Sequence, residues 1–360
     1  MMKVIEDTFL HIVRFGIGTA DRVTFPENIN WSEIETLAEK QGLSAIIVDG
    51  IGKLPESIRP PKEILLQWIG NTLQCYEYRY EKYCSSMSGL ASFYNQHSFQ
   101  MMVLKGYACA LNWPKPEHRP CGDLDIWLFG KQKEADAILS QEKGIKVDSS
   151  HHHHTVFNWG DITVENHYDF INVYDYKSSK DIEKILKELG QDDSFFTEVN
   201  GERVYLPSPN LHALFLIRHA ASHFASTYIT LRQVLDWAFF VQKHTNEIDW
   251  DWLKDILRKY HMMDFFNCIN AICVEDLGFS SGIFPGVQFS PVLKEKVLRD
   301  ILSPEFTIEE PNSFIPRLLY KYKRWYGNGW KQKLCYEDSR ISGFLSNLWA
   351  HILKPSSFFS

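Results

Sequence analysis

The chain has 360 residues, of which 44 % are hydrophobic and 23 % are charged, fractions typical of globular proteins that exclude wholesale disorder. Its length exceeds that of one usual hydrophobic core and predicts two domains, or one core with large helical additions. The 38 basic and 45 acidic residues give a net charge of -7, which argues against sequence-independent binding of nucleic acid.

The start of the chain carries Glu6 and Asp7 where a signal peptide would have its apolar run, and no apolar stretch reaches membrane-spanning length. We therefore expect a cytoplasmic protein without a membrane span. The cysteines are odd in number, scattered and free of CxxC pairs, which predicts reduced thiols and no disulfide framework or zinc ribbon. They are Cys75, Cys84, Cys109, Cys121, Cys268, Cys273 and Cys335.

Helical spacing of apolar residues dominates the first hundred positions. It predicts helices over residues 8–17, from about residue 30 to residue 41, and over a long segment at about 61–97. Ser32 is the predicted N-cap of the second helix, and Gly42 stands where its C-terminal cap would fall.

The pattern changes at about residue 98. A short apolar run ends at Lys105 and Gly106 as a strand followed by a turn, and a helix is predicted over residues 107–112. A proline-rich connector at 114–120 cannot be helical throughout. Residues 122–128 then form a second predicted strand.

A helix at about 132–143 precedes two alternating segments, residues 155–159 and 162–168, which Gly160 and Asp161 join as a two-residue hairpin turn. From residue 209 onward the pattern is helical again. The predicted fold class is α+β, with a small mixed β-sheet core flanked by helical regions. The predicted divisions are an N-terminal helical region at 1–97, the α/β core at 98–206 and a C-terminal helical domain at 207–360.

Two acids lie on the second predicted strand. Alternation places Asp123 and Asp125 on one face, about 7 Å apart, with Leu124, Ile126 and Leu128 on the other face. Carboxylates so arranged can converge on a hard divalent cation that also accepts phosphate oxygens, the arrangement of phosphoryl or nucleotidyl transfer. The alternative is a solvated strand face that happens to carry two acids.

A third acid, Glu165, lies in the middle of the last hairpin strand and shares its face with Thr163 and His167. Asp161 falls in the turn, where aspartate is common for conformational reasons. Counted straight through, Asp169 shares the face of Glu165, so parity does not exclude it, and the mid-strand position favours Glu165. The three acids together predict a two-metal triad.

These motifs resemble those of the uncharacterised nucleotidyltransferases within the DNA polymerase beta superfamily. The similarity lies in Lys105-Gly106, in residues 113–116, in Arg119, in Gly-Asp-Leu-Asp at 122–125 and in residues 164–167. It extends into both helical flanks and covers roughly residues 5–280.

The resemblance implies that Asp123, Asp125 and Glu165 are the catalytic, metal-binding residues and that the cofactor is Mg²⁺ or Mn²⁺. It implies a nucleoside triphosphate as donor and an acceptor that the sequence does not identify. The residues assigned to the nucleotide or its phosphates are Lys105, Gly106, Tyr107, Arg119 and Gly122. One residue departs from the pattern, because the superfamily usually has serine where Tyr107 follows Gly106.

Several histidines and charged residues are predicted to line the pocket: His167, His219, His223, Arg232 and Asp236. His219 and His223 share a helix face, and a zinc site is the alternative for them. The run of histidines at 151–154 is interpreted as an exposed strand entry, with two rings lining the cleft as the alternative. Basic and aromatic residues alternate at 317–333, which is typical of side-chain stacking on a helix surface or, less simply, of RNA or membrane binding.

Three functions fit these patterns. The first is active nucleotidyl transfer, which the intact acids favour. The second is a non-catalytic nucleotide-binding or partner-binding module on the same fold, which Tyr107 favours. The third, a glycosyltransferase that uses a sugar nucleotide, lacks the βαβ alternation expected before its acidic motif.

Overall fold

The protein is described by a computed structural model over residues 4–20, 25–26, 28–174, 176–286, 288–307, 311 and 313–339, without the side chains of 314 and 318. Its described part is a mixed α+β structure, as predicted, in which helices surround one six-stranded sheet. The last residues of the predicted C-terminal domain, 340–360, lie outside the described residues.

Five helices precede the sheet: α1 (Val4–Ile17), α2 (Trp31–Gln41), α3 (Ser44–Gly52), α4 (Lys62–Thr72) and α5 (Tyr78–Gln96). The long predicted helix is thus two helices joined through a π-helical turn, Leu73–Glu77. Gly42 ends α2 in the left-handed region at φ 67°, as predicted. The predicted N-cap was wrong, because Ser32 lies inside α2 and Asn30 Oδ1 accepts the hydrogen bond from the Glu33 amide.

The sheet has the strand order β3-β4-β2-β1-β6-β5. Its strands are β1 (Met102–Val103), β2 (Leu124–Trp127), β3 (His154–Trp159), β4 (Ile162–His167), β5 (Phe196–Val199) and β6 (Glu202–Tyr205). The β3–β4 hairpin turns at Gly160 and Asp161, as predicted. The β5–β6 hairpin was not predicted as strands, although its Asn200-Gly201 turn is a strong hairpin signal.

Both faces of β2 are covered. Leu124 and Ile126 pack into a hydrophobic cluster with residues of α5 and of α7 (Gln132–Lys143), as the alternation predicted. On the other face, the Trp127 ring lies 4.6 Å from Phe170, which also contacts Phe215. Asp125, on the same face of β2 as Trp127, is therefore buried on the side of the C-terminal helices.

The remaining helices are α6 (Tyr107–Ala110), which follows β1, and then α8 (Lys177–Leu189), α9 (Pro209–Ser226), α10 (Leu231–His244), α11 (Trp250–Lys259), α12 (Met263–Ala271), α13 (Pro291–Leu302), α14 (Phe314–Gly327) and α15 (Gly329–Cys335). One hydrophobic cluster joins N-terminal residues such as Phe9 to C-terminal ones such as Phe265. The division into three regions stays a prediction.

The basic and aromatic segment at 317–333 divides into two parts. On α15, Lys331 is buried against Asp300 at 2.6 Å, while Lys296 covers the Trp330 ring at 3.9 Å, which is side-chain stacking of the predicted kind. On α14, Tyr322 and Tyr326 are exposed.

No helix in the described ranges is long and apolar enough to cross a membrane. All seven cysteines are free thiols, as predicted.

A buried acid on α8 makes the stability of the fold depend on pH. Glu183 accepts hydrogen bonds from the backbone amides of Phe170 and Ile171 at 3.0 and 3.1 Å. Burial raises the pKa of Glu183 from 4.5 to about 7, against the opposing effect of those two amides. The stability that depends on its protonation is therefore fully present below pH 4.5 and is lost as the pH rises through 7.

We expect Glu183→Gln to flatten this pH dependence, because glutamine does not ionise. In the unmodified protein the free energy of unfolding should fall by up to about 3 kcal/mol across that window through Glu183 alone. Urea unfolding at a series of pH values measures the slope. Glu188→Gln, an exposed substitution on the same helix, is the control, and equal slopes for both variants would contradict the assignment.

Candidate active site

A cavity of about 610 Å³ lies between one face of the sheet and helices α9 and α10. Residues from both sides line it, among them Asp125 and Glu165 from the sheet and His219 and Arg232 from the helices. Cavities of this size accommodate small-molecule ligands. The predicted carboxylates therefore lie in a cleft between the sheet and the C-terminal helices.

The pairing of β2 with β4 brings two of the acids together. The strands are parallel, and their register places Asp125 beside Glu165 and Trp127 beside His167. Paired residues on neighbouring strands point to the same side of a sheet. The side chains of Asp125, Glu165 and His167 consequently meet at one end of the cavity, although Glu165 is 40 positions further along the chain.

Asp125 is buried and bound by two cationic groups. Lys105 Nζ lies 2.7 Å from Asp125 Oδ1, and His167 Nε2 lies 3.1 Å from the same oxygen. Burial raises the pKa of the Asp125 carboxyl, but Lys105 and His167 outweigh burial and hold this pKa well below its ordinary range. Asp125 is therefore ionised at neutral pH.

His167 is oriented by contacts at both ring nitrogens. Its Nδ1 lies 3.1 Å from the carbonyl oxygen of Asp169, and its Nε2 lies 3.5 Å from Glu165 Oε2. Burial lowers the pKa of His167, but the hydrogen bonds to Asp125 and Glu165 raise it above its ordinary value. A ring whose Nδ1–H donates to a carbonyl is also the arrangement that fixes a metal-binding histidine, because it directs Nε2 to the metal.

Asp123 lies just before β2 and is exposed at the cavity. Its pKa is raised by burial and by the nearby charges of Glu165 and Asp125. Burial raises the pKa of Glu165, but the hydrogen bond from His167 together with the charges of His154 and Lys105 holds it below its ordinary value. The three predicted acids thus share one electrostatic environment, in which Asp123 has no cationic contact as close as that of Asp125.

The donor set fits a divalent cation. Single ligand atoms of Asp125, Glu165 and His167 all lie within 4.8 Å of one another. Two carboxylates and one oriented imidazole are ligands that Mn²⁺ and related ions accept, and carboxylates suit Mg²⁺. The sequence predicted His167 only as a residue of the pocket lining. Its spacing of two residues from Glu165 on β4 nevertheless indicates that both side chains lie on one face of the strand. Asp123 is not part of this close group.

The turn after β1 requires glycine. Gly106 has φ 55° and ψ -102°, and a Cβ atom there would lie 2.7 Å from the hydroxyl oxygen of Tyr83. The assignment of Tyr107 to phosphate binding was wrong for its side chain, which is buried and stacks on Tyr80 at 6.3 Å between ring centroids. The tyrosine packs into the hydrophobic cluster behind the sheet because its ring is apolar.

Two arginines at the cavity have opposite environments. Arg119 donates to both carboxylate oxygens of Asp236 at 2.8 and 2.9 Å and to the carbonyl of Pro120, and Trp113 also donates to Asp236. Both charged residues are buried. Asp236 lines the cavity, as predicted, and forms an ion pair with Arg119 there. The phosphate contact predicted for Arg119 stays a prediction.

Arg232 lines the same cavity with no ion pair or hydrogen bond among the described residues, and its Nε is buried without a partner. Burial and the neighbouring Arg119 lower the pKa of Arg232. An arginine left unpaired in a cavity is a site for an anionic group of a ligand, because a buried charge without a partner is costly. Gly122 also lines the cavity, and no atom lies within 4 Å of a Cβ built on it.

Comparison with known proteins was made for sequence and for structure. The family described as uncharacterised nucleotidyltransferase matches residues 27–278. The chain belongs to this family. Comparison with curated protein sequences finds no match. Among solved structures, an antigenic nucleotidyltransferase-like protein from Paracoccidioides brasiliensis is similar at 14 % identity, covering 56 % of this chain and 96 % of that chain, with a TM-score of 0.36.

In this member of the nucleotidyltransferase family, His219 and His223 lie on the cavity side of α9, with ring centroids 4.4 Å apart. Burial, followed by the charge of Lys105, lowers the pKa of both, and that of His223 to about 4. In the described part of the chain no third metal-binding side chain converges on this pair. They therefore belong to the neutral lining of the cavity, and the zinc alternative has no donor set.

The run at 151–154 is only partly the exposed strand entry that the sequence indicated. His153 and His154 line the cavity, and His154 is buried opposite His167 in the β3–β4 register. Burial lowers the pKa of His153 to about 2 and that of His154 to about 4, so both rings are neutral. The cleft of this chain thus contains uncharged imidazoles beside its carboxylates.

Arg119 and Arg232 should differ in how much their interactions contribute to the free energy of unfolding. We expect Asp236→Ala to lower the free energy of unfolding by about 3–5 kcal/mol, because it leaves Arg119 buried without its counter-charge. We expect Arg232→Met to cost less than about 1 kcal/mol, since no ion pair is lost. Urea denaturation of both variants measures this, and losses of equal size would refute the separation into a structural and a ligand-binding arginine.

Proposed function

We propose that the protein transfers a nucleoside monophosphate from a nucleoside triphosphate to an acceptor, in a reaction that depends on Mg²⁺ or Mn²⁺. The observation that carries the proposal is the convergence of Asp125, Glu165 and His167, with Asp123 beside them, in a cavity that also contains an unpaired arginine. Membership of the nucleotidyltransferase family supports the reaction class.

Asp125, Glu165 and His167 would hold the cation, and Asp123 would face it from the cavity mouth. A divalent ion there would neutralise triphosphate charge, lower the pKa of the attacking acceptor group and stabilise the pyrophosphate leaving group. Burial and the repulsion from Glu165 and Asp125 already raise the pKa of Asp123, and a bound cation would relieve that repulsion.

The remaining cavity residues position the phosphates. The Arg232 guanidinium can bind phosphate oxygens in a bidentate manner, while Lys105, on the turn before α6, supplies a point charge. In the transfer, an oxygen of the acceptor forms a bond to the α-phosphorus, and the bond from that phosphorus to the pyrophosphate oxygen breaks. Glu165 would help to activate the acceptor by taking its proton, so its loss should impair transfer more than binding.

A non-catalytic nucleotide-binding module is the second candidate. The ion pair between Lys105 and Asp125 favours it, because a protein cation at 2.7 Å already neutralises the acid that would bind metal. The Tyr107 side chain, buried where the superfamily usually has a phosphate-binding serine, also favours it. This alternative predicts nucleotide binding without any labelled product.

Transfer is tested by incubating the purified protein with each radiolabelled nucleoside triphosphate, Mg²⁺ or Mn²⁺, and host-cell extract. We expect one fraction of the extract to acquire label. Asp125→Asn should abolish the labelling and weaken nucleotide binding, whereas Glu165→Gln should bind nucleotide nearly normally and transfer little.

The control is Asp161→Asn, which removes an exposed acid from the turn of the same hairpin and should label as the unmodified protein does. Labelling that survives Asp125→Asn, or that needs no divalent ion, would contradict the metal assignment. Saturable nucleotide binding without label under any condition would favour the non-catalytic module.

The role of Arg232 is tested by affinity. We expect Arg232→Met to raise the dissociation constant for the triphosphate about tenfold or more, since a charge-assisted contact contributes about 1.5–3 kcal/mol. Arg232→Lys should recover part of the loss, because lysine keeps the charge but not the bidentate fork. Calorimetric titration measures both, and unchanged affinity in the methionine variant would exclude a phosphate contact.

A further inference from the structure

Three imidazole rings meet at the sheet end of the cavity. His153, His154 and His167 each offer a ligand atom within 4.8 Å of those of the others. The ring centroids of His153 and His154 lie 4.4 Å apart. The centroid of His167 lies 5.5 Å from that of His153 and 5.2 Å from that of His154. Such close packing of three polar rings leaves little room for other hydrogen-bond partners.

The rings are left with unused nitrogens. The Nδ1 atoms of His153 and His154 are both buried and have no hydrogen-bond partner, and the His154 side chain is only 8 % exposed. An unsatisfied buried nitrogen lowers the stability of the fold, and two of them in contacting residues need an explanation in the function of the site. A ligand that takes imidazole lone pairs supplies one.

The backbone holds the three residues in this arrangement. His154 and His167 are directly opposite in the antiparallel pairing of β3 with β4. The carbonyl of His153 accepts the amides of Tyr168 and Asp169 at 3.0 and 3.1 Å, which anchors it at the end of β4. Donors fixed by strand register are the kind of support that a preorganised metal site has.

We propose that His153, His154 and His167 form a nitrogen-rich site for a borderline transition-metal ion, Zn²⁺ in the first place, distinct in ligand chemistry from the carboxylate site of the proposed function. Imidazole suits Zn²⁺, and three protein ligands leave one position open to the cavity. Glu165 Oε1, 3.9 Å from His154 Nε2, is a further donor at that position.

The rings must move closer together to bind zinc. With zinc–nitrogen bonds of about 2.0–2.1 Å at tetrahedral angles, two ligand nitrogens lie about 3.3–3.4 Å apart, so ligand atoms up to 4.8 Å apart must approach by up to about 1.5 Å. Rotation about side-chain bonds provides such a movement. His167 Nε2 belongs to both sites, and therefore a zinc ion bound by the histidines withdraws this ring from Asp125 and Glu165.

The test uses the metal alone, without nucleotide, so that its result does not depend on whether the protein transfers nucleotides. Zn²⁺ binding to the full chain is measured by competition with a chromophoric chelator. The double variant His153→Ala with His154→Ala should weaken zinc binding by about 100-fold or more, beyond the cost of losing an outer-shell partner. The matched control is His151→Ala with His152→Ala, which removes two histidines from the same run and should retain the affinity.

Equal losses in the two double variants would show adventitious binding by consecutive histidines and would overturn the proposal. Retained affinity in the His153 and His154 variant would place the zinc on Asp125, Glu165 and His167 and would also overturn it. If that variant does not fold, X-ray absorption at the zinc edge of the loaded unmodified protein decides. Scattering from three imidazoles supports the site, and scattering from one imidazole with oxygen ligands refutes it.

Discussion

The parallel pairing of β2 with β4 is the constraint on which the site depends. It places Asp125 beside Glu165 and His167 beside Trp127, so the three side chains of the candidate metal site meet without any loop having to position them. A shift of one residue in this register would turn Glu165 into the hydrophobic cluster and bring Val164 to the cavity. The packing of Val164 in that cluster therefore protects the geometry of the carboxylates.

The charged side chains around the cavity differ in whether a close counter-ion compensates them. Asp125 is contacted by Lys105 and His167, and Arg119 is paired with Asp236, so these charges are compensated within the protein. Arg232 and Asp123 have no such close ion pair. Under the proposed function, this anion and this cation on the lining of one cavity would be complementary to a metal-bound triphosphate, which carries both kinds of charge.

The cleft also contains two kinds of metal-binding chemistry side by side, oxygen donors on β2 and β4 and imidazoles from the run before β3. Hard ions prefer the first group, and borderline ions prefer the second. Because His167 belongs to both groups, the identity of the bound ion would change which partners this ring keeps. The histidine run thereby becomes part of the cavity rather than a feature of its edge.

The sequence by itself determined what depends on local periodicity: the shared face of Asp123 and Asp125, the hairpin around Gly160, and the glycine turn after β1. It missed the β5–β6 hairpin because these two short strands carry few buried residues, although their Asn200-Gly201 turn is a hairpin signal. Only the tertiary structure decided which charges are paired. Arg119 and Asp236 are 117 positions apart, and Lys105, which follows β1, contacts Asp125 on the neighbouring strand β2. Whether a buried arginine is structural or available to a ligand depends on such distant partners, which no local pattern records.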